Sequence, residues 1–181
     1  MRKKSGFTLF ELLVAVAIIA LLATIVVPIL RWDRPKEIRE KFISQLNKLT
    51  GHAWRNAITT TKVQQIFFHF GNKEVLLKAE GKKDKYGKTQ YVPVTMAAVK
   101  TKIKIPEQLE LKNFYINRED RAGIVGKSGE VWFYITEGIS QEVVINFLDK
   151  EDKIKLRKRP VGLVLNPFSA QFEVYDEFKR P

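Results

Sequence analysis

Hydrophobic and polar positions fall into three regimes along the chain. From Leu12 to Leu30, 19 consecutive residues carry no charge. As a helix at about 1.5 Å per residue, this run is about 28 Å long, close to the hydrocarbon thickness of a bilayer. Arg2, Lys3 and Lys4 precede it, then Ser5 and Gly6, and one carboxylate, Glu11, stands just inside its N-terminal end. From Lys36 the pattern becomes amphipathic. Ile38, Phe42, Leu46, Leu49, Ala53 and Ala57 recur at steps of four, four, three, four and four, and Ile43, Trp54 and Ile58 widen the stripe. Thr59, Thr60 and Thr61 should close that helix, because β-branched residues favour extended chain. Pro28 should kink the first helical run. Pro35 marks a second bend or a fresh helix start capped by Asp33.

Beyond Thr61 the period shortens to that of strands. Lys62–Phe70 and Lys73–Glu80 flank Gly71-Asn72, a two-residue hairpin signal. Residues 81–90 form a basic, glycine-containing loop. Further strands are expected at 91–99, 101–105, 109–117, 131–136, 142–148 and 153–156, with turns around Gly138 and at Asp149–Asp152. Residues 161–165 and 172–175 flank Asn166–Ala170, a turn by composition. The fold class is therefore α+β: a long N-terminal helix, half apolar and half amphipathic, packed on antiparallel β-sheet.

An ordinary secretory signal has a shorter apolar core with its small-residue cleavage site after it. Here Gly6 lies before the apolar run, so cleavage there leaves the helix on the mature protein. Gly6-Phe7-Thr8-Leu9-Phe10-Glu11 followed by an apolar helix resembles the N-terminus of type IV prepilins and type II secretion pseudopilins, over Gly6 to Pro28. The resemblance implies that a prepilin peptidase/N-methyltransferase cuts after Gly6 and methylates the new N-terminus, Phe7. It implies that Glu11 acts in filament assembly, and many family members carry a proline where Pro28 stands. A carboxylate in hydrocarbon costs a few kcal/mol and such groups usually have partners. The Phe7 amine of a neighbouring subunit is the partner expected for Glu11.

The later part of the chain adds a second resemblance. Tyr134-Ile135-Thr136-Glu137-Gly138 ends one strand, and Gly162 to Phe168 leads to the last. This order resembles H-type minor pseudopilins and related minor pilins. The chain departs from their pattern at Tyr134 and Thr136, where that family has phenylalanine and proline. It departs again at Ser169-Ala170, where the family has threonine-glycine. The presence of Glu11 argues against the tip pseudopilin that lacks this residue.

Charge and composition limit the remaining chemistry. The formal net charge is +12, of which the leader carries three positive charges. With no cysteine there is neither disulfide nor thiolate metal ligand, and the core must hold the domain together. Arg2, Lys3 and Lys4 place the N-terminus in the cytoplasm and the C-terminal bulk outside, in the periplasm. Trp32, Arg31 and Arg34 suit the outer membrane–water interface. Gly126-Lys127-Ser128 resembles the end of a phosphate loop but has Arg121 where that motif needs glycine, and a strand-like segment follows it. A glycine-rich turn fits better. His52 and His69, the two histidines, lie in different elements, and Glu119-Asp120 and Glu151-Asp152 read as solvated turns, so no metal, cofactor or catalytic group is expected. Lys153, Lys155, Arg157 and Arg159 would share one strand face if the strand runs that far, and Lys100, Lys102 and Lys104 do so opposite Ile103 and Ile105. Such rows can contact phosphates without base specificity, although the solvated face of a sheet with protective edge lysines is the plainer reading.

These observations point to a non-enzymatic minor pseudopilin of a type II secretion pseudopilus, assembled at or near the tip. Its expected divisions are a leader at 1–6, a transmembrane half-helix at 7–30, an amphipathic half at 31–61 and a periplasmic β-rich domain at 62–181. Its expected partners are other pseudopilins in a hetero-oligomeric filament, the prepilin peptidase and the inner membrane, with nucleic acid the less favoured partner. The alternative is a minor type IV pilin that binds DNA during uptake. An anchored periplasmic enzyme is disfavoured because no site assembles.

Overall fold

The computed structural model of the chain describes residues 9–31, 35–95, 99–154 and 156–181, with the backbone alone for 25–31. The chain divides into two units, Met1–Arg34 and Pro35–Pro181. In the first, helix α1 (Leu9–Arg31) carries the apolar run, and Pro28 falls within its bounds. In the second, α2 (Pro35–Thr60) starts at a proline, whose fixed φ and missing N–H suit a first helical turn, with Glu37 in that turn complementing the helix dipole. Thus Pro35 begins a helix. Its proposed cap, Asp33, lies outside the described residues. At the far end Thr59 and Thr60 hydroxyls donate back to the carbonyls of Arg55 and Asn56, and Thr61 turns out of the helix at φ 54°.

The strands form two antiparallel sheets. The first contains β1 (Gln64–His69), β2 (Glu74–Lys83), β3 (Thr89–Pro93), β4 (Lys102–Lys104), β7 (Glu130–Thr136) and β8 (Ile139–Ser140), in the order β3-β2-β1-β7-β8 with β4 also beside β2. The second contains β5 (Leu109–Ile116), β6 (Glu119–Asp120), β9 (Val143–Ile154), β10 (Arg157–Asn166) and β11 (Gln171–Tyr175), in the order β11-β10-β9-β5-β6. The α2 stripe (Phe42, Leu46, Leu49, Ala53, Ala57) is buried against both sheets. Burying Phe42, Leu46 and Leu49 contributes roughly 1.5–3 kcal/mol each, while Ala53 and Ala57 let the helix approach the sheets closely. Aromatic contacts also join the sheets directly, Phe68 of β1 meeting Phe114 of β5 edge-on at 5.2 Å, and tie the helix to the second sheet, Phe42 of α2 meeting Phe147 of β9 at 6.3 Å. The result is an α+β arrangement consistent with a pilin fold, with two sheets sharing the helix.

Two glycines permit close packing. Gly138 has φ +82°, and a Cβ there would lie 2.9 Å from Ile58, while its carbonyl accepts a 2.6 Å bond from the Trp54 indole. At Gly162 a Cβ would lie 2.4 Å from the Glu177 carbonyl, because the C-terminal tail crosses β10 there and pairs both ways with the buried Asn146 amide.

Several local expectations are corrected. Gly71-Asn72 is not a two-residue turn. His69 pairs with Glu74, leaving four loop residues, and the left-handed position is Lys73 at φ 52°. The basic loop is shorter than 81–90, since β2 runs to Lys83 and β3 starts at Thr89. Gly126-Lys127-Ser128 is not a glycine-rich turn but the end of a short helix, α3 (Ala122–Ser128), closed by left-handed Gly129. Asp149–Asp152 is not a turn between strands. β9 runs through it, and the register jumps from Lys153↔Lys158 to Asp149↔Arg159, so Lys150, Glu151 and Asp152 form a bulge. Asp149 stabilises that bulge by accepting the Glu151 and Asp152 amides at 3.2 and 3.1 Å.

Candidate assembly site and charged surfaces

In α1 the only described charged side chain before Arg31 is Glu11, in the first turn, where a carboxylate is favoured by the free amides and the dipole. Every described side chain of α1, from Leu9 to Thr24, is exposed, including Leu9, Phe10, Leu13, Val16, Ile19 and Leu21. A helix that is apolar all round must be covered by other helices or by lipid, since water solvates neither face well. Among the described residues no helix is long and apolar enough to cross a membrane. The side chains described in α1 end at Thr24, and the apolar sequence continues past them to Leu30. Gly6 and Phe7 lie outside the described residues, as does the Pro28 side chain.

The two basic rows fare differently. Lys100, Lys102 and Lys104 are exposed, while Ile103 and Ile105 are buried, so Lys102 and Lys104 stand on one face of β4, with Lys100 exposed just ahead of the strand. Lys102 there bridges Glu74 at 2.7 Å. The second row does not exist as a row. The chain reverses between Ile154 and Arg157, which are paired partners, so Lys153 lies on one arm of a hairpin and Arg157 and Arg159 on the other. Lys155 lies outside the described residues. Arg159 is engaged with Asp176 at 2.5 Å and Asp152 at 3.3 Å, and its own pKa is raised chiefly by the bond to Asp176.

A charged cluster absent from the sequence expectations joins α2 to the second sheet. Arg39, 4 % exposed, donates from Nη1 to Asp149 at 2.9 Å and to Asp152 at 2.5 Å. Asp149 is fully buried and also accepts the Gln108 amide at 3.0 Å, while that amide donates to the Pro35 carbonyl at 2.8 Å. The bond from Arg39 is the main reason the Asp152 carboxyl lies below the usual carboxylate range. One signal was available: Arg39 sits three, four and seven positions before Phe42, Ile43 and Leu46, within the apolar stripe. A cation there needs a buried anion, but its partners are 110 and 113 residues away.

The histidines have separate local roles. His52 bonds the Arg55 guanidinium at 3.1 Å on α2, and burial followed by that neighbouring charge holds its pKa below the ordinary value. His69 accepts the Asn72 amide at 3.1 Å and so holds the loop after β1. Among the described residues no group of three or more histidines and carboxylates could hold a metal ion.

A family model for the prokaryotic N-terminal methylation motif matches residues 1–27. The chain thus carries a type IV prepilin-like signal, which implies processing by prepilin peptidase, assembly with pilin-like proteins and an inner-membrane anchor. No curated protein and no solved structure matches the chain.

Proposed function

We propose that the chain is a structural, non-catalytic filament subunit: an H-type minor pseudopilin of a type II secretion pseudopilus, assembled at or near the tip to support protein export. One observation carries this reading. The methylation motif at 1–27 opens a helix whose described apolar side chains are exposed on all sides. In this reading residues 1–6 are the leader and 7–30 the membrane-spanning half of the helix. Residues 31–61 and 62–181 form the periplasmic part. Prepilin peptidase cuts between Gly6 and Phe7 and methylates the Phe7 amine. The subunit waits in the inner membrane, and α1 then exchanges lipid for the helices of neighbouring subunits. Glu11 pairs with the Phe7 amine of the next subunit in the assembled filament, which brings two opposite charges together inside the helix bundle. The β domain, whose surface α1 does not determine, selects the neighbour. The strand order leading through Tyr134–Gly138 and Gly162–Phe168 supports the H-type assignment.

The test is cross-linking in cells from a photoreactive residue at Ile18. The reading expects adducts with other pilin-like subunits that disappear with Glu11→Ala. Adducts of equal yield in wild type and mutant would refute the role of Glu11, and none at all would refute assembly. The exposed Lys100, Lys102 and Lys104 row supports a second reading, a minor pilin that binds DNA during uptake. Three phosphate contacts predict a slope of log affinity against log salt of roughly −3. Duplex binding by the full chain in neutral detergent, lost when the three lysines are neutralised, would favour that reading over secretion.

A further inference from the structure

The β9–β10 hairpin ends in an exposed apolar tip flanked by cations. Leu156, at its tip, is 94 % exposed and held at φ 67°. Just below, Lys153 and Lys158 are register partners, and like charges directly opposite one another on an antiparallel pair are destabilising. Neither they nor Arg157 makes an ion pair among the described residues, and all three are exposed. Beside them lies an open hollow of about 620 Å³ whose apolar wall is Leu148, Ile154, Pro160 and Phe178, with Arg157, Lys158 and Asp176 also lining it, the Asp176 carboxylate being paired with Arg159. Cations beside an exposed apolar tip and an apolar hollow suit a phospholipid, whose phosphate and acyl chain need both. Duplex DNA would use the charges and leave the hollow and Leu156 unpaired.

The fold also places this hairpin at the right end of the domain. Its base, Asp152, is bonded to Arg39 in the first turns of α2, and Gln108 ties Pro35 to the neighbouring Asp149. The apolar run ends at Leu30, so the five residues to Pro35 span at most about 18 Å. We infer that the β9–β10 hairpin docks on the anionic phospholipid surface of the membrane that holds the unassembled subunit, with Leu156 inserted among the headgroups and Lys153, Arg157 and Lys158 on lipid phosphates. This rests on the reading of α1 as a membrane anchor. Docking holds the waiting subunit against the bilayer and must be released when the subunit enters a filament.

The chain contains no cysteine, so Leu156→Cys gives a single labelling site. An environment-sensitive fluorophore there is compared with one at Tyr86→Cys. Tyr86 is 91 % exposed in the β2–β3 loop, near the end of the first sheet that follows the C-terminus of α2. The full chain is reconstituted in phosphatidylcholine vesicles with or without phosphatidylglycerol and with nitroxide-bearing lipids as quencher. Each basic residue near an anionic surface is worth about fivefold in the docked-to-undocked ratio. Quenching at position 156 should therefore rise with phosphatidylglycerol and fall with salt. Arg157→Gln with Lys158→Gln should lower the docked-to-undocked ratio roughly 25-fold, and position 86 should stay unquenched. Chains that float with the vesicles but show the same quenching at both positions, or none at 156, overturn the hairpin and leave the anchor standing. Chains that do not float overturn both. A change at position 156 on adding duplex DNA in neutral vesicles, abolished by the double substitution, overturns lipid in favour of nucleic acid.

Discussion

Arg39 is the side chain whose removal should cost the domain most for its size. In Arg39→Ala the guanidinium that bridges Asp149 and Asp152 is lost, and Asp149 stays fully buried. Breaking a buried ion pair by deleting one partner costs about 3–5 kcal/mol, because the remaining charge is uncompensated. Asp149 keeps Gln108 and two backbone amides, and Asp152 keeps Arg159, so the lower end applies, about 3 kcal/mol. For a domain of this length that corresponds to a fall in Tm of about 6–12 °C. The assay is thermal unfolding of the full chain in detergent, followed by tryptophan fluorescence. A loss below about 1 kcal/mol would refute the reasoning, since an exposed pair is worth no more. The cycle with Asp149→Asn separates charge from packing. If the cluster acts as a unit, the two losses fall well short of adding. Acid dependence supplies a second readout. The Asp152 carboxyl is depressed in the folded state, so its contribution is present above its unfolded pKa and is lost as pH falls through the lower folded value. Arg39→Ala should flatten that acid-limb loss.

Mass spectrometry of membrane-extracted protein should find a mature N-terminus at Phe7, methylated, and replacing Gly6 with a bulky residue should leave the leader in place. Glu11→Gln, which keeps shape and removes charge, should leave insertion intact and deplete the subunit from sheared filament fractions; equal recovery would sink the amine-pairing idea. Gly138→Ala forces a Cβ against Ile58 at a left-handed position and should cost about 1–3 kcal/mol in denaturant unfolding. Gly162→Ala should displace the tail from Asn146 and raise protease sensitivity after Asp176, with a similar cost.

The features legible in the sequence are those whose cause is local. The signal at Gly6–Glu11 and the uncharged run to Leu30 are contiguous, so the membrane and peptidase chemistry they imply needs no fold. The α2 stripe and the alternation Lys102-Ile103-Lys104 follow from the helix and strand periods, and the burial of Phe42, Leu46 and Ile103 matches them. What the tertiary structure decided involves partners far along the chain. Asp149–Asp152 has the composition of a turn, yet Arg39 arrives from 110 residues away and makes it a bulge inside β9. Lys153 to Arg159 alternates as a strand would, but Ile154 and Arg157 pair across a reversal, which breaks the row and leaves Leu156 at the tip. Gly126-Lys127-Ser128 carries turn residues and ends a helix, because Val125 is buried in the core and the Gly129 carbonyl accepts the Phe70 amide, 59 positions away, at 2.7 Å. Two sheets share one helix because Phe68 and Phe114, 46 positions apart in sequence, meet in a single core. Local propensities differ by roughly 1 kcal/mol per residue, and one buried charge or aromatic contact of long range outweighs them.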